Sequence, residues 1–229
     1  MQSIGLIGGM SWESTSHYYT KLNRAIGAAK GGLHSAPLWL HSVDFAPIEV
    51  LQREGKWEEA GKQLATAAAA LERAGAQGIA LCTNTMHKIA PMISEAISVP
   101  FLHIAHATAR ALLDENVREI LLLGTRFTMQ EAFYKEVLIE QGIRVHIPQE
   151  TAEIDRIIFE ELCKGKVCEP SKAYYVRVIQ EHLNAHPATQ GVVLGCTEIG
   201  MLLEAKDAKI PLFDTTEIHV NALKEFILA

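Results

Sequence analysis

The sequence predicts an α/β protein of two pseudo-symmetric lobes, each a parallel sheet flanked by helices, with the active site in the cleft between them. Three observations carry this. Short apolar runs alternate with helix-length stretches, the pattern of right-handed crossovers between parallel strands. One run, Gly78-Ile79-Ala80-Leu81, breaks abruptly into Cys82-Thr83-Asn84-Thr85-Met86-His87-Lys88, as a buried strand does where it ends at a crevice and turns into a helix. The chain then repeats itself. Gln77-Gly-Ile-Ala-Leu-Cys-Thr-Asn-Thr returns as Gln190-Gly-Val-Val-Leu-Gly-Cys-Thr-Glu, at an offset of 190 − 77 = 113 that maps Thr83 onto Cys196 and Cys82 onto Gly195.

Taken in order, residues 3–8 read as a buried strand, and Gly8-Gly9 turns it into a helix entered at Met10-Ser11-Trp12-Glu13. This turn is neither a dinucleotide fingerprint nor a P-loop, because the required glycine and lysine spacings are absent. Gly31-Gly32 breaks the chain, and a second strand covers 37–43. From Trp57 to Ala74 the apolar positions Trp57, Ala60, Leu64, Ala67, Leu71 and Ala74 keep helical spacing. The first elbow follows, with a helix running through about Ile97 and a strand from Val99.

Ile210-Pro-Leu-Phe213 echoes Val99-Pro-Phe-Leu102, and Ile120-Leu-Leu-Leu-Gly124 echoes Ile4-Gly-Leu-Ile-Gly8. These offsets, 210 − 99 = 111 and 120 − 4 = 116, lie close to 113 and make an internal duplication the economical account. Helices are expected at 127–141, 151–163 and 171–185 and from about 105 and 216, with a short strand near 143–146.

Bulk properties narrow the function. With 229 residues and 48% hydrophobic content there is ample material for a core, and a net charge of −6 argues against a nucleic-acid partner. No apolar run reaches the roughly 18 residues of a membrane span, and the N-terminus lacks a signal-peptide pattern. Four cysteines without a CxxC pair predict reduced thiols in a cytoplasmic protein.

Four strand ends carry small polar residues where helices begin: Gly8-Gly9-Met10-Ser11, Thr83-Asn84-Thr85, Gly124-Thr125 and Cys196-Thr197-Glu198. Helix N-termini expose N–H groups that can cradle carboxylates, although Ser and Thr there also serve as plain caps. Cys196, at such a start, is expected to have a lowered pKa. Alternation along the strand turns Cys82 away from the direction of Thr83 and into packing. Cys163 and Cys168, near a helix end, read as having no part in chemistry, and no cluster has metal-ligand spacing.

Together, Gly8-Gly9-Met10-Ser11-Trp12, Thr83-Asn84-Thr85-Met86-His87 and Gly195-Cys196-Thr197-Glu198 resemble the aspartate/glutamate racemase family that works without pyridoxal phosphate, most closely its bacterial branch acting on L-aspartate and L-glutamate. The resemblance spans essentially the whole chain. It implies lobes at 1–97 plus 209–229 and at 98–208, often dimerised, with no cofactor and no metal. It also implies an acidic amino acid as substrate, Thr83 and Cys196 as the two bases, and Met10, Gln52, Asn84, Thr85, Thr125, Lys164, Thr197 and Glu198 as its binding residues.

The family's usual first-elbow motif is Cys-Asn-Thr, so Thr83 stands in place of a cysteine. Relatives that isomerise maleate or decarboxylate arylmalonates offer a second reading. A small-anion binding protein that has lost one base offers a third.

Overall fold

The computed structural model describes all 229 residues and divides into two compact units, Met1–His103 with His219–Ala229, and Ile104–Ile218. The first unit contains β1 (Ile4–Gly8), α1 (Trp12–Lys30), β2 (Leu38–Ser42), α2 (Phe45–Arg53), α3 (Trp57–Arg73), β3 (Gly78–Leu81), α4 (Ala90–Glu95) and β4 (Phe101–Leu102). The second contains α5 (Ile104–Asp114), β5 (Glu119–Gly124), α6 (Arg126–Gln130), α7 (Ala132–Glu140), β6 (Arg144–His146), α8 (Ala152–Glu160), α9 (Glu169–Ala185), β7 (Gly191–Gly195), α10 (Ile199–Leu202) and β8 (Leu212–Asp214). The last helix, α11 (Thr215–Leu228), begins in the second unit and ends in the first.

Each unit holds one four-stranded sheet, ordered β2-β1-β3-β4 in the first and β6-β5-β7-β8 in the second, with every pairing parallel. Substituting β5 for β1, β6 for β2, β7 for β3 and β8 for β4 turns one order into the other. The duplication read from sequence is therefore a duplication of topology.

The lobe boundaries at 97/98 and 208/209 are corrected by strand pairing. Ile79 and Ala80 pair with Phe101 and Leu102, which keeps β4 in the first sheet. Val192 to Leu194 pair with Leu212 to Asp214, which keeps β8 in the second. The helix expected over 127–141 is also two helices. Glu131 is extended at φ −84° and ψ 163°, ending α6 and starting α7.

Alternation distributes each sheet between two apolar layers. Ile79 and Leu81 pack with Ile7, Leu64 and Leu71, whereas Ala80 and Cys82 face Leu6, Tyr18 and Leu223. In the second unit Val192, Leu194 and Cys196 share a cluster with Leu121, Leu123 and Tyr175, and Val193 packs with Ile120 and Leu122 on the other side. Each wholly buried Leu or Ile stabilises the fold by about 1.5–3 kcal/mol.

A polar staple closes the first unit. The Tyr18 hydroxyl donates to His219 Nδ1 at 2.8 Å, and His219 Nε2–H donates to the Leu102 carbonyl at 2.9 Å. The carbonyl can only accept, which fixes this tautomer. No helix is long and apolar enough to cross a membrane.

Candidate active site

The four polar strand ends divide into two kinds. At the end of β1 the Ser11 hydroxyl accepts from the Ser14 N–H at 3.3 Å and caps α1, while Thr15 Oγ1 accepts from the Gly9 N–H at 2.7 Å. Gly9 is required there. Its φ is +94°, and a Cβ would lie 2.2 Å from the Val43 carbonyl oxygen. At the end of β5 the Thr125 hydroxyl accepts from the Thr128 N–H at 3.3 Å and caps α6. Both hydroxyls do ordinary capping work. The ends of β3 and β7 differ: neither Asn84 nor Glu198 makes a side-chain cap.

At the first of these elbows Thr83, Asn84 and Thr85 are all buried, and a 3-10 turn over Thr85–Ile89 replaces the α-helix expected directly after the strand. His87 is buried in that turn, and its Nδ1–H donates to the Thr83 carbonyl at 2.8 Å. Burial, with His103 and His219 nearby, holds His87 well below the usual imidazole range, so it is neutral at pH 7. Its bond reaches the Thr83 main chain and leaves the hydroxyl alone. Cys82 is wholly buried in the apolar layer behind the strand, and that burial pushes its thiol up. The reading of Cys82 as a packing residue agrees with this environment.

Gln52, at the end of α2, is 3% exposed. Its amide nitrogen donates to the Met86 sulfur at 2.9 Å, and its Oε1 is buried without a partner. Met10 lies in the same apolar cluster as Met86 and Ile48.

At the second elbow a buried carboxylate gathers three side chains. Glu198 is 2% exposed, and its Oε2 accepts from Cys196 Sγ at 3.0 Å and from Thr197 Oγ1 at 2.8 Å. The Cys163 thiol donates to Oε1 at 3.7 Å. Gly195 leaves room for this corner, since a Cβ would sit 2.9 Å from the Leu123 carbonyl oxygen.

The lowered pKa expected for Cys196 is corrected. Burial first, and then the Glu198 carboxylate, push the thiol well above its ordinary value. The expected helix start lies further on, because α10 begins only at Ile199 and is four residues long.

The predicted residues therefore fall into two groups. Met10, Gln52, Thr83, Asn84 and Thr85 belong to the first unit, and Thr125, Lys164, Cys196, Thr197 and Glu198 to the second. Lys164 is exposed at the end of the 3-10 turn Leu162–Lys164, ahead of Gly165 in the left-handed region. The sequence reading missed Cys163, which the same turn delivers to Glu198 across 35 residues of chain. No local pattern links the two. It also missed that Glu198 serves the thiol two residues before it, for which the Cys-Thr-Glu spacing is the only signal. No group of three or more His, Cys, Asp or Glu side chains is placed to hold a metal ion.

Two parallel α/β units, each ending a central strand in a buried polar elbow, define a class, and comparison with known proteins supplies its name. The chain belongs to the Asp/Glu/hydantoin racemase family, whose model matches residues 7–223. The racemases among its members are isomerases. Among curated proteins it is similar to the broad-specificity amino-acid racemase RacX of Bacillus subtilis (strain 168), at 24% identity over 216 residues, 93% of this chain and 92% of that one.

Among solved structures it is similar to a candidate Asp/Glu racemase from Yersinia pestis, with a TM-score of 0.91 and 48% identity. It is also similar to an aspartate racemase homologue from Pyrococcus horikoshii OT3, with a TM-score of 0.85 and 38% identity. Both alignments cover 100% of each chain.

Proposed function

We propose that this protein interconverts the L- and D-isomers of aspartate and glutamate by two-base proton transfer at the α-carbon, without pyridoxal phosphate or metal. The observation that carries this reading is the Cys196 thiol held 3.0 Å from a buried carboxylate at the second elbow. Racemisation removes a proton from one face of the α-carbon and delivers one to the other, so it needs a base and an acid on opposite sides.

The Cys196 S–H bond breaks, and its proton passes to Glu198 Oε2. The freed sulfur electron pair takes the α-proton of the L-isomer. The C–H electron pair remains on the α-carbon, which Thr83 protonates from the other face through its hydroxyl. Solvent then returns a proton to Thr83 and removes the extra one from Glu198.

A raised thiol pKa suits this scheme. A proton shared with Glu198 yields a strong base only when it moves, and a low-pKa thiolate would be too weak for so poor a carbon acid. Donors at both elbows, Asn84, Thr85, Thr125 and Thr197, are the candidates to stabilise the carbanion-like transition state.

The substrate class follows from Gln52 and Lys164. A buried carbonyl oxygen without a partner costs about 1–3 kcal/mol until a donor reaches it. One N–H of the Gln52 amide goes to Met86, while Oε1, buried without a partner, calls for a ligand donor. The α-ammonium of an amino acid is one, whereas maleate and arylmalonates carry none. The exposed Lys164 ammonium suits a side-chain carboxylate.

Preference for the L-isomer follows from the inequality of the two bases. A homodimer is part of the same proposal, because the edge strand β2 leaves Trp39 46% and Leu40 44% exposed, apolar area that a second copy would cover. Four unpaired thiols suit the reducing cytoplasm.

The test is incubation of L-aspartate and L-glutamate in deuterated water. Proton NMR follows the α-proton, and chiral chromatography follows the D-isomer. Both signals should change together. Binding without exchange, or consumption of maleate or an arylmalonate in place of amino acids, would overturn the proposal.

A further inference from the structure

We propose that Cys163 is a positioning residue for the Cys196 thiol, acting through the Glu198 carboxylate that both thiols share. This rests on the racemase reading above and extends it to a residue outside the motif. The geometry is specific. The 3-10 turn that carries Cys163 packs against α8 and α10. From there its sulfur reaches Oε1 at 3.7 Å, while Cys196 occupies Oε2 at 3.0 Å. One carboxylate thus receives a thiol on each oxygen inside a cluster from which water is largely excluded.

The consequence is chemical. A hydrogen bond donated to the ionised form of a carboxylate favours that form. Cys163 S–H therefore holds the Oε1 side as an acceptor and turns the Oε2 lone pairs toward Cys196. Burial and the neighbouring carboxylate both keep Cys163 protonated, which makes it a donor across the working pH range. Without it, the carboxylate loses the bond that fixes Oε1, and Oε2 is free to turn away from the Cys196 thiol, which then lacks an acceptor for its proton.

The transfer step itself is unchanged. The Cys196 proton still goes to Oε2, and Cys163 keeps its own proton throughout. Asp155 from α8, Lys164 from the same turn and Tyr175 from α9 also face this cluster and stay in place in every variant below.

The experiment compares the parent with Cys163→Ala and Cys163→Ser by two pH profiles. One is the rate at which iodoacetamide alkylates Cys196 in ligand-free protein, read by peptide mass spectrometry. The other is kcat/KM for α-proton exchange from L-aspartate.

In Cys163→Ala the acid limb of both profiles should move up by about half a pH unit, roughly a threefold loss of rate on that limb. In Cys163→Ser, where a hydroxyl still donates, it should lie at or below the parent's. If Cys163→Ala does not fold, Cys163→Val, of similar size and without a donor, takes its place.

Coincident profiles for Ala and parent would overturn the proposal. So would a Ser variant shifted as far as Ala, which would mark a packing role. The alkylation profile needs no substrate. A parent that exchanges no α-proton defeats the racemase reading, while the assignment of Cys163 stands or falls on alkylation alone.

Discussion

The two elbows occupy the same place in two copies of one topology, yet they are built for different chemistry. At the end of β7 the equivalent side chain is a thiol bonded to a carboxylate that can accept its proton. At the end of β3 it is a threonine hydroxyl whose neighbour, His87, bonds the main-chain carbonyl and not the hydroxyl. Imidazoles stand behind the first elbow and a carboxylate behind the second. A duplicated frame fixes position, while the side chains behind each elbow set its hydrogen-bond partners. In the proposed reaction the second elbow abstracts a proton and the first donates one.

Removing the Cys196 thiol should have the largest effect. Cys196→Ala should lower exchange from the L-isomer by about 10²–10⁴-fold, the usual weight of a general base, in the deuterated-water assay. Retention of more than a tenth of the rate would place the base elsewhere.

The imidazoles behind the first elbow give it a distinct acid sensitivity. Burial lowers His219 to about 4. Because the folded value lies below the unfolded one, about 6.5, the unfolded chain binds the proton more readily. Stability is full above 6.5 and falls as pH drops through that window toward 4. The loss from His219 alone should be about 3 kcal/mol, over a hundredfold in the folding equilibrium. Urea midpoints across this range should show it, and His219→Gln should flatten the slope. A slope unchanged by that substitution would remove His219 from the account.

Equalising the elbows is a sharper comparison. Thr83→Cys places a thiol where the family usually has one and should raise turnover of the D-isomer by about tenfold or more, with a smaller change for the L-isomer. An equal gain for both isomers would show that Thr83 does not face the D-isomer's α-proton.

Cys82→Ala should do least. It removes one buried sulfur from an apolar layer, costing about 1 kcal/mol in chemical denaturation and leaving turnover largely intact. Activity lost as fully as in Cys196→Ala would shift the first-elbow register by one residue.

How much of this was legible in the chain depended on distance along it. The strands, their parallel class and the pairing of Thr83 with Cys196 came from apolar alternation and an offset of 113, both properties of short stretches. The lobe boundaries were misplaced, because Val99–Leu102 and Ile210–Phe213 are near-copies and only hydrogen bonding says which sheet each joins. The helix after the first elbow proved to be a 3-10 turn, a difference of one residue in bonding that periodicity cannot show over five residues.

Cys163 was passed over, since its partner Glu198 lies 35 residues away and burial is invisible in a half-polar segment. The direction of the Cys196 shift was misread for the same reason. Proximity to a helix start is written in sequence, but the depth of burial and the aim of a carboxylate are not.

Initial rates from the two pure isomers test most directly whether one elbow abstracts and the other donates. With the unaltered protein in deuterated water, kcat for loss of the α-proton should be clearly higher from L-aspartate than from D-aspartate. The Haldane relation then requires a compensating difference in KM. Thr83→Cys should narrow the gap. Equal kcat values for the two isomers in the unaltered protein would contradict the account, because two unequal bases cannot abstract at the same rate.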